Sequence, residues 1–252
     1  MWVKIWGGVV LTANTESGTR VIAHEAEKNG TRYFCPECNS EVTLKKGQVL
    51  THHFAHKPPV TCYYGVGESE AHRHAKVCIY NALLQCEDVE QVEIEKSFDD
   101  VRADIFAVIK GTPVAIEIQK STLKPETIIK RTEAYTRKGI YILWLLLEDQ
   151  RIHEARFIPK WWEKWIHAAY FGKVFFWFSG EYVMPVSFDT AYTYVEATDW
   201  GGGYNKPLKR YKKPIFYDLI SIVEDFIPSR GKAWNGGAFN IPDRLIFIQK
   251  RN

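Results

Sequence analysis

The sequence predicts an α/β protein: a mixed sheet flanked by helices, preceded by a β-rich module and followed by an α/β extension. Three observations carry this reading. A strand, a helix and a second strand follow one another between residues 114 and 147. Residues 1–62 hold short β-like runs separated by turn residues (EKNGTR, KKGQ). Past residue 158 the texture changes to aromatic runs and a Gly-, Pro- and Lys-rich stretch. The expected units are therefore 1–62, 63–158 and 159–252.

The elements of the central unit follow in order. A first helix starts near Glu68 and runs to about Gln85, and strands follow near 90–97 and 101–109. Gly111-Thr112-Pro113 reads as a tight turn into the strand 114–119. The next helix has Pro125 in its first turn and Gly139 at its end, the usual asymmetry of helix termini. YILWLLL then suits a strand buried on both faces, so the strands at 114–119 and 140–147 should be parallel. In the extension, WWEKWIHAAYFG reads as an amphipathic helix, KVFFWFSGEYVMPV as strands, TDWGGGYNKPLKRYKKP as a loop and YDLISIVEDFI as one more helix. The aromatic runs WWEKW and FFWF read as core.

Composition bounds the function. The 252 residues, 46% hydrophobic and 14% aromatic, suffice to bury a large core without covalent staples. A net charge of +3 does not make a polycation, so any basic patch acts locally. No stretch is long and apolar enough to cross a membrane. MWVKIWGGVVLTANTESG lacks the serial features of a signal peptide and reads as a strand. Five cysteines, an odd number, argue against a disulfide framework and for a reducing, cytoplasmic setting with some thiols on a metal.

FCPEC and HHFAH supply candidate ligands for that metal. Cys35, Cys38, His53 and His56 give C-x2-C, a fourteen-residue gap and H-x2-H, two thiolates and two imidazoles suited to tetrahedral Zn²⁺. The short second pair points to a strand end or loop rather than a finger helix, and His52 and Cys62 are spare candidates. Four protein ligands would close the site, which makes it structural.

VRADIFAVIKGTPVAIEIQKS raises a different chemistry. On the strand 114–119, Glu117 and Gln119 share the face opposite Ile116 and Ile118. If the two strands form a hairpin about Gly111, Asp104 comes close to Glu117. Paired carboxylates in an apolar sheet ask for a cation, and hard oxygen ligands suit Mg²⁺ or Mn²⁺. Such an ion would acidify an attacking water and offset phosphodiester charge. The alternative is a solvated strand face with Glu117 in a surface ion pair. Glu68, His72, Lys76, Ile79 and Leu83 form one helical stripe whose polar end would extend over the same site. Ser121, Arg131 and Tyr135 could face it too, Arg131 as a phosphate contact or merely resting on Tyr135. The stretch Lys206–Lys213, with Lys209 and Arg210, can track a phosphate backbone or stay a solvated loop.

FCPEC, HFAHK, ESEAH with its following Lys, RADI, AIEIQKS and RT-x2-Y, in this order, resemble the competence protein CoiA family over roughly residues 20–180. The resemblance implies a restriction-endonuclease-like fold of the PD-(D/E)XK type. It implies that Asp104 and Glu117 are the motif carboxylates holding Mg²⁺ or Mn²⁺, and that Glu68 is the carboxylate some members carry on the first helix. Gln119 stands where most of that superfamily has the Lys that orients or activates water, so it would position water through its amide, and Lys76 is the candidate replacement Lys. The implied function is metal-dependent hydrolysis of DNA, single-stranded or branched, in DNA uptake, recombination or defence, with a recombination protein as a further partner. The rival expectation is a non-catalytic DNA-binding or recombination-mediator module on a nuclease fold.

Overall fold

Short, alternating segments joined by Gly- and Asn-containing turns build the N-terminal region. The computed structural model describes residues 8–59, 62–236 and 239–250, so most of the predicted N-terminal strand lies outside the described residues. Strands β1 (Val9–Val10), β2 (Thr12–Thr15), β3 (Arg20–Ile22), β4 (Tyr33–Phe34), β5 (Glu41–Lys45) and β6 (His53–His56) form a six-stranded sheet in the order β1-β6-β5-β4-β2-β3. Its core is small, built on Val10, Ala13, Tyr33, Val42, Leu44 and Phe54. A core of this size contributes little stability alone, which is where a metal staple has its use.

Helix α1 (Glu70–Leu83) follows, its N-cap Ser69 accepting a hydrogen bond from the His72 N–H at 3.3 Å. Next come β7 (Val89–Ile94), the small hairpin of β8 (Ser97–Phe98) and β9 (Val101–Arg102), then β10 (Ile105–Ile109) and β11 (Thr112–Gln119). Strands β10 and β11 pair antiparallel about Lys110-Gly111, both at positive φ (49° and 72°), the geometry of a two-residue hairpin turn. The turn therefore sits one residue earlier than the sequence suggested, and Thr112 and Pro113 already belong to β11. Helix α2 (Pro125–Arg137) and β12 (Tyr141–Leu146) complete the strand–helix–strand unit, with β11 and β12 parallel from Val114↔Tyr141 to Gln119↔Leu146. That expectation holds, and for the stated reason: Ile142, Leu143, Trp144 and Leu145 are all buried.

After a short 3-10 turn at Gln150–His153, the remaining elements are α3 (Trp161–Ala169), β13 (Val174–Ser179), β14 (Tyr182–Val195), β15 (Tyr204–Phe216), β16 (Ile220–Ser221), β17 (Phe226–Gly231), β18 (Trp234–Gly236), β19 (Phe239–Ile241) and β20 (Arg244–Gln249). The main sheet has ten strands, β15-β14-β13-β12-β11-β10-β7, with β16 on β14, β20 on β12 and β17 on β20. The molecule is thus mixed α/β with several sheets and few helices. One sheet spans residues 89 to 249, across the change of texture at 158.

Two local expectations are corrected. Residues 204–216 form β15 rather than a loop, because β14 offers partners to residues 204–207 and 212–216. Register shifts between Thr190 and Tyr192, where residues 208–211 oppose Ala191 alone, a large bulge. Residues 217–227 do not form a helix. Ser221 Oγ accepts from the Val223 and Glu224 N–H groups, Asp225 accepts from the Ser221 N–H at 2.8 Å, and these local bonds replace a helical ladder. The aromatic runs are largely core: Trp162, Trp165, Phe175 and Phe176 are buried, while Phe178 is exposed. Among the described residues no helix is long and apolar enough to cross a membrane.

The packing of α3 on β14 gives a pH prediction. The His167 ring stacks on Phe188 at 4.7 Å, and its Nε2 accepts from the Phe188 N–H at 3.1 Å. Burial, with the Lys212 ammonium nearby, pulls its pKa from 6.5 down to about 4. The unfolded chain then binds the proton first, so this contribution is present above pH 6.5 and is lost as pH falls toward 4. Between those limits the wild type is expected to lose about 1–2 kcal/mol more than His167→Gln, after allowance for partial exposure of the ring. Calorimetric unfolding of both proteins at neutral and mildly acid pH checks this.

Candidate functional site

Register places the first cluster. Ile94, Ile105 and Ile116 are partners across β7, β10 and β11. One step beyond that row stand Glu95, Asp104 and Glu117, with the Glu95 N–H donating to the Asp104 carbonyl at 2.8 Å. Three acidic residues thus lie in line across three adjacent strands. Helix α1 brings His72 and Lys76 against the row, as their helical spacing predicts, whereas Glu68 joins them from the segment just ahead of the N-cap Ser69, because the helix begins at Glu70.

Lys76 is the centre of the contacts. Its Nζ lies 2.5 Å from Glu68 Oε1, 3.1 Å from Glu95 Oε1 and 3.2 Å from Asp104 Oδ1. His72 spans the same carboxylates, Nδ1 at 3.3 Å from Glu68 Oε1 and Nε2 at 3.0 Å from Asp104 Oδ2. The Ile118 N–H donates to Asp104 Oδ2 at 2.9 Å and fixes that carboxylate. Glu68, His72 and Asp104 each offer a ligand atom within 4.8 Å of the others, a set that could hold a metal ion.

Electrostatics separates these groups. Burial would raise Asp104, but the Lys76 charge and His72 hold it well below the usual carboxylate range. Burial dominates at Glu68 and pushes it up, in spite of Lys76. Lys76 itself is buried, yet three carboxylates keep it charged and raise its pKa well above the usual lysine value. A neutral imidazole has a single N–H and can donate to only one of the two carboxylates His72 touches. The second contact calls for a second proton on the ring, a proton on the carboxylate or a cation between them. With the imidazole neutral and all three carboxylates ionised, they exceed the one ammonium by two charges, which a divalent cation would balance. The residues present therefore fit such an ion.

Glu117 faces different partners. It is 2% exposed, accepts from Tyr135 OH at 2.5 Å and pairs with Arg131, whose Nη2 also donates to the Arg102 carbonyl at 2.7 Å. Burial pushes the Glu117 carboxyl up, and the Asp104 charge adds to this against the pull of Arg131. The pair Asp104 and Glu117 is adjacent as expected, but the metal-capable set joins Asp104 to Glu68 and His72 instead. Arg131 and Tyr135, expected as nucleic-acid contacts, are committed to Glu117, because a carboxylate buried in the sheet needs both a cation and a donor. Gln119 Nε2 donates to the carbonyl of Ser121 and, at 3.2 Å, to its Oγ, so this amide is tied to the exposed loop that follows. Lys209 and Arg210 are exposed on β15, at the opposite end of the sheet from β7, and are not brought to the cluster.

The second cluster lies in the N-terminal module. Cys35, Cys38, His56 and Cys62 offer ligand atoms all within 4.8 Å of one another. This corrects the ligand set read from the spacing: Cys62 stands in place of His53. The reason is strand geometry. His53 and His56 are three residues apart on β6 and so point to opposite faces. The Nδ1–H of His53 donates to the Thr51 carbonyl at 2.8 Å, and His52 stacks on His24 at 5.9 Å. His56 Nδ1–H donates to the Gly8 carbonyl at 3.0 Å, which turns Nε2 to Cys38 Sγ at 3.5 Å, the orientation a ligating imidazole takes. Gly8 has no room for a side chain, since a Cβ there would sit 1.7 Å from the Tyr64 carbonyl oxygen. Burial pushes the Cys35 thiol up to about 12. Burial acts the same way on Cys38, but hydrogen bonds from Ser40 and His56 prevail and bring it down to about 6. Three sulfurs and one imidazole suit tetrahedral Zn²⁺.

The two clusters are joined. Glu37, inside the Cys35–Cys38 knuckle, pairs with Arg102, whose guanidinium covers the Tyr64 ring at 4.0 Å. Tyr64 OH and Thr12 Oγ1 donate to Glu95 Oε2 at 2.6 and 3.0 Å, and Arg20 donates to the Glu95 carbonyl at 2.8 Å. Sequence reasoning singled out none of Glu95, Arg20, Thr12 or Tyr64. The one available signal was that Glu95 follows Ile94 just as Glu117 follows Ile116.

Comparison with known proteins places this arrangement. Residues 17–65 match the family model of the competence protein CoiA N-terminal domain, and residues 68–169 that of the competence protein CoiA nuclease-like domain. Competence protein CoiA of Bacillus subtilis (strain 168) is 33% identical over 116 residues, 46% of this chain and 31% of that relative. No solved structure matches. With the two domain models matched in order over more than half of its length, the chain belongs to the CoiA-like family and carries the N-terminal and nuclease-like domains of that family.

Proposed function

We propose that the chain is a divalent-metal-dependent nuclease that hydrolyses DNA phosphodiester bonds, on a sheet of restriction-endonuclease type. One observation carries the reading: within the nuclease-like region Glu68, His72 and Asp104 each bring a ligand atom within 4.8 Å of the others, with charge to match a dication. An imidazole in the set favours Mn²⁺ over Mg²⁺. When bound, the ion neutralises phosphate charge and acidifies the attacking water. Asp104 is held ready for it by the Ile118 N–H. Lys76, kept protonated, is a fixed positive charge beside Asp104 rather than a base. Gln119, whose Nε2 is held by Ser121, would position water through its amide oxygen, and Glu117 fixes Arg131 against the carbonyl of Arg102. Zn²⁺ on Cys35, Cys38, His56 and Cys62 holds the N-terminal module against this site.

The experiment is cleavage of single-stranded, duplex and branched DNA with Mn²⁺ or Mg²⁺, comparing wild type with Asp104→Asn and Glu117→Gln. Cutting that is lost in Asp104→Asn and only reduced in Glu117→Gln supports the Glu68–His72–Asp104 set. Equal loss in both would return the ion to the Asp104–Glu117 pair. A second reading, a non-catalytic DNA-binding module, is favoured by one contact pattern: Lys76 already lies on both Glu68 and Asp104. Metal-independent DNA binding by a chain that never cuts would select it.

A further inference from the structure

The Lys76 ammonium touches two carboxylates of the metal-capable set, Glu68 and Asp104, and one outside it, Glu95. Glu95 is 2% exposed and sits just past β7 with φ at 55°, a conformation that a non-glycine residue keeps only when its surroundings hold it. The surroundings come from the N-terminal module: Thr12 and Tyr64 on its carboxylate, and Arg20 on its carbonyl and on Thr12 Oγ1 at 3.0 Å. Burying this carboxylate without Lys76 would be costly, so the pair forms a unit.

We infer that Glu95 is the positioning residue for Lys76: by sharing the ammonium, which sits closest to Glu68, it weakens the hold of Lys76 on Asp104 and leaves the Asp104 carboxylate available to a divalent cation, and the N-terminal module thereby completes the candidate active site. This rests on the nuclease reading above. The geometry makes Lys76 a competitor for the ion's place. Three carboxylates share one ammonium, and removing the charge of Glu95 leaves Lys76 entirely to the two that would ligate the ion.

The test is a Mn²⁺ titration of the full chain, read by calorimetry or electron paramagnetic resonance and independent of cleavage, on wild type, Glu95→Gln, Lys76→Met and the double variant. Glu95→Gln is expected to weaken Mn²⁺ binding about 10-fold or more. In the Lys76→Met background the same substitution should cost at most about 3-fold, the remainder being loss of one nearby negative charge. An equal loss in both backgrounds overturns the role of Glu95. If Glu95→Gln does not fold, Tyr64→Phe keeps both charges and carries the test: weaker Mn²⁺ binding that disappears with Lys76→Met supports the inference, and unchanged binding overturns it. Wild-type protein that binds no Mn²⁺ removes the nuclease reading underneath. Wild-type protein that binds Mn²⁺, with Glu95→Gln indifferent to Lys76, removes only the inference.

Discussion

Asp104→Asn is expected to lower metal-dependent DNA cleavage on the order of 10³-fold, the rate equivalent of the several kcal/mol that a correctly held ion supplies. Asp104 is held from several sides: His72 and the Ile118 N–H on Oδ2, Lys76 on Oδ1, and Glu95 through the backbone. The Asn amide keeps the shape and one oxygen but loses the charge that Lys76, His72 and an incoming cation all need. The fold should survive, because Lys76 retains Glu68 and Glu95 as partners. Breaking a buried ion pair outright costs about 3–5 kcal/mol, and with two of three carboxylates left the loss should fall below that range. Thermal unfolding of the variant, run beside single-turnover cleavage, separates the two effects. A large fall in rate with a small fall in stability places Asp104 in the chemistry, whereas parallel falls would make it a structural anchor of the Lys76 cluster.

The site was partly legible in the sequence because burial makes acids conspicuous. Glu117 between Ile116 and Ile118, and Asp104 before Ile105, break an apolar strand pattern at matching register, which only a partner can explain. The identity of that partner was not legible. Arg131 and Tyr135 can be placed on α2 by their spacing, but that they turn onto Glu117 depends on how α2 packs, a tertiary fact. Glu95 escaped notice because its role needs residues 12 and 20 from a different sheet and residue 64 from the turn ahead of α1. Gly and Pro punctuation identified the β11–α2–β12 unit, where the breakers fall at element ends. The same signals misled in β15, where Pro207 and Pro214 lie within an edge strand that pairs with β14. At 217–227 apolar spacing suggested a helix, and two short polar side chains, Ser221 and Asp225, turned the backbone instead.

The ligand exchange in the N-terminal cluster gives the second large effect. Cys62→Ser should abolish stoichiometric zinc, with an affinity loss of at least about 100-fold, whereas His53→Ala should keep one zinc per chain. The contrast is sharp because spacing alone favours His53, and only the face alternation of β6 sets it aside. Metal analysis of the purified variants decides it; zinc retained in Cys62→Ser and lost in His53→Ala would overturn the cluster as drawn. The consequence should extend beyond the module. Its own core is small, so loss of the metal frees the knuckle that carries Glu37 and loosens its contact with Arg102. Arg102 covers Tyr64, and Tyr64 donates to Glu95, so the disturbance has a continuous path of contacts to Lys76 and Asp104. Hydrogen exchange on Cys62→Ser should therefore show faster exchange in the six-stranded sheet and also at residues 94–104, while the β17–β20 pair stays protected. Protection kept at 94–104 in the zinc-free protein would separate the two clusters and leave the zinc a local staple.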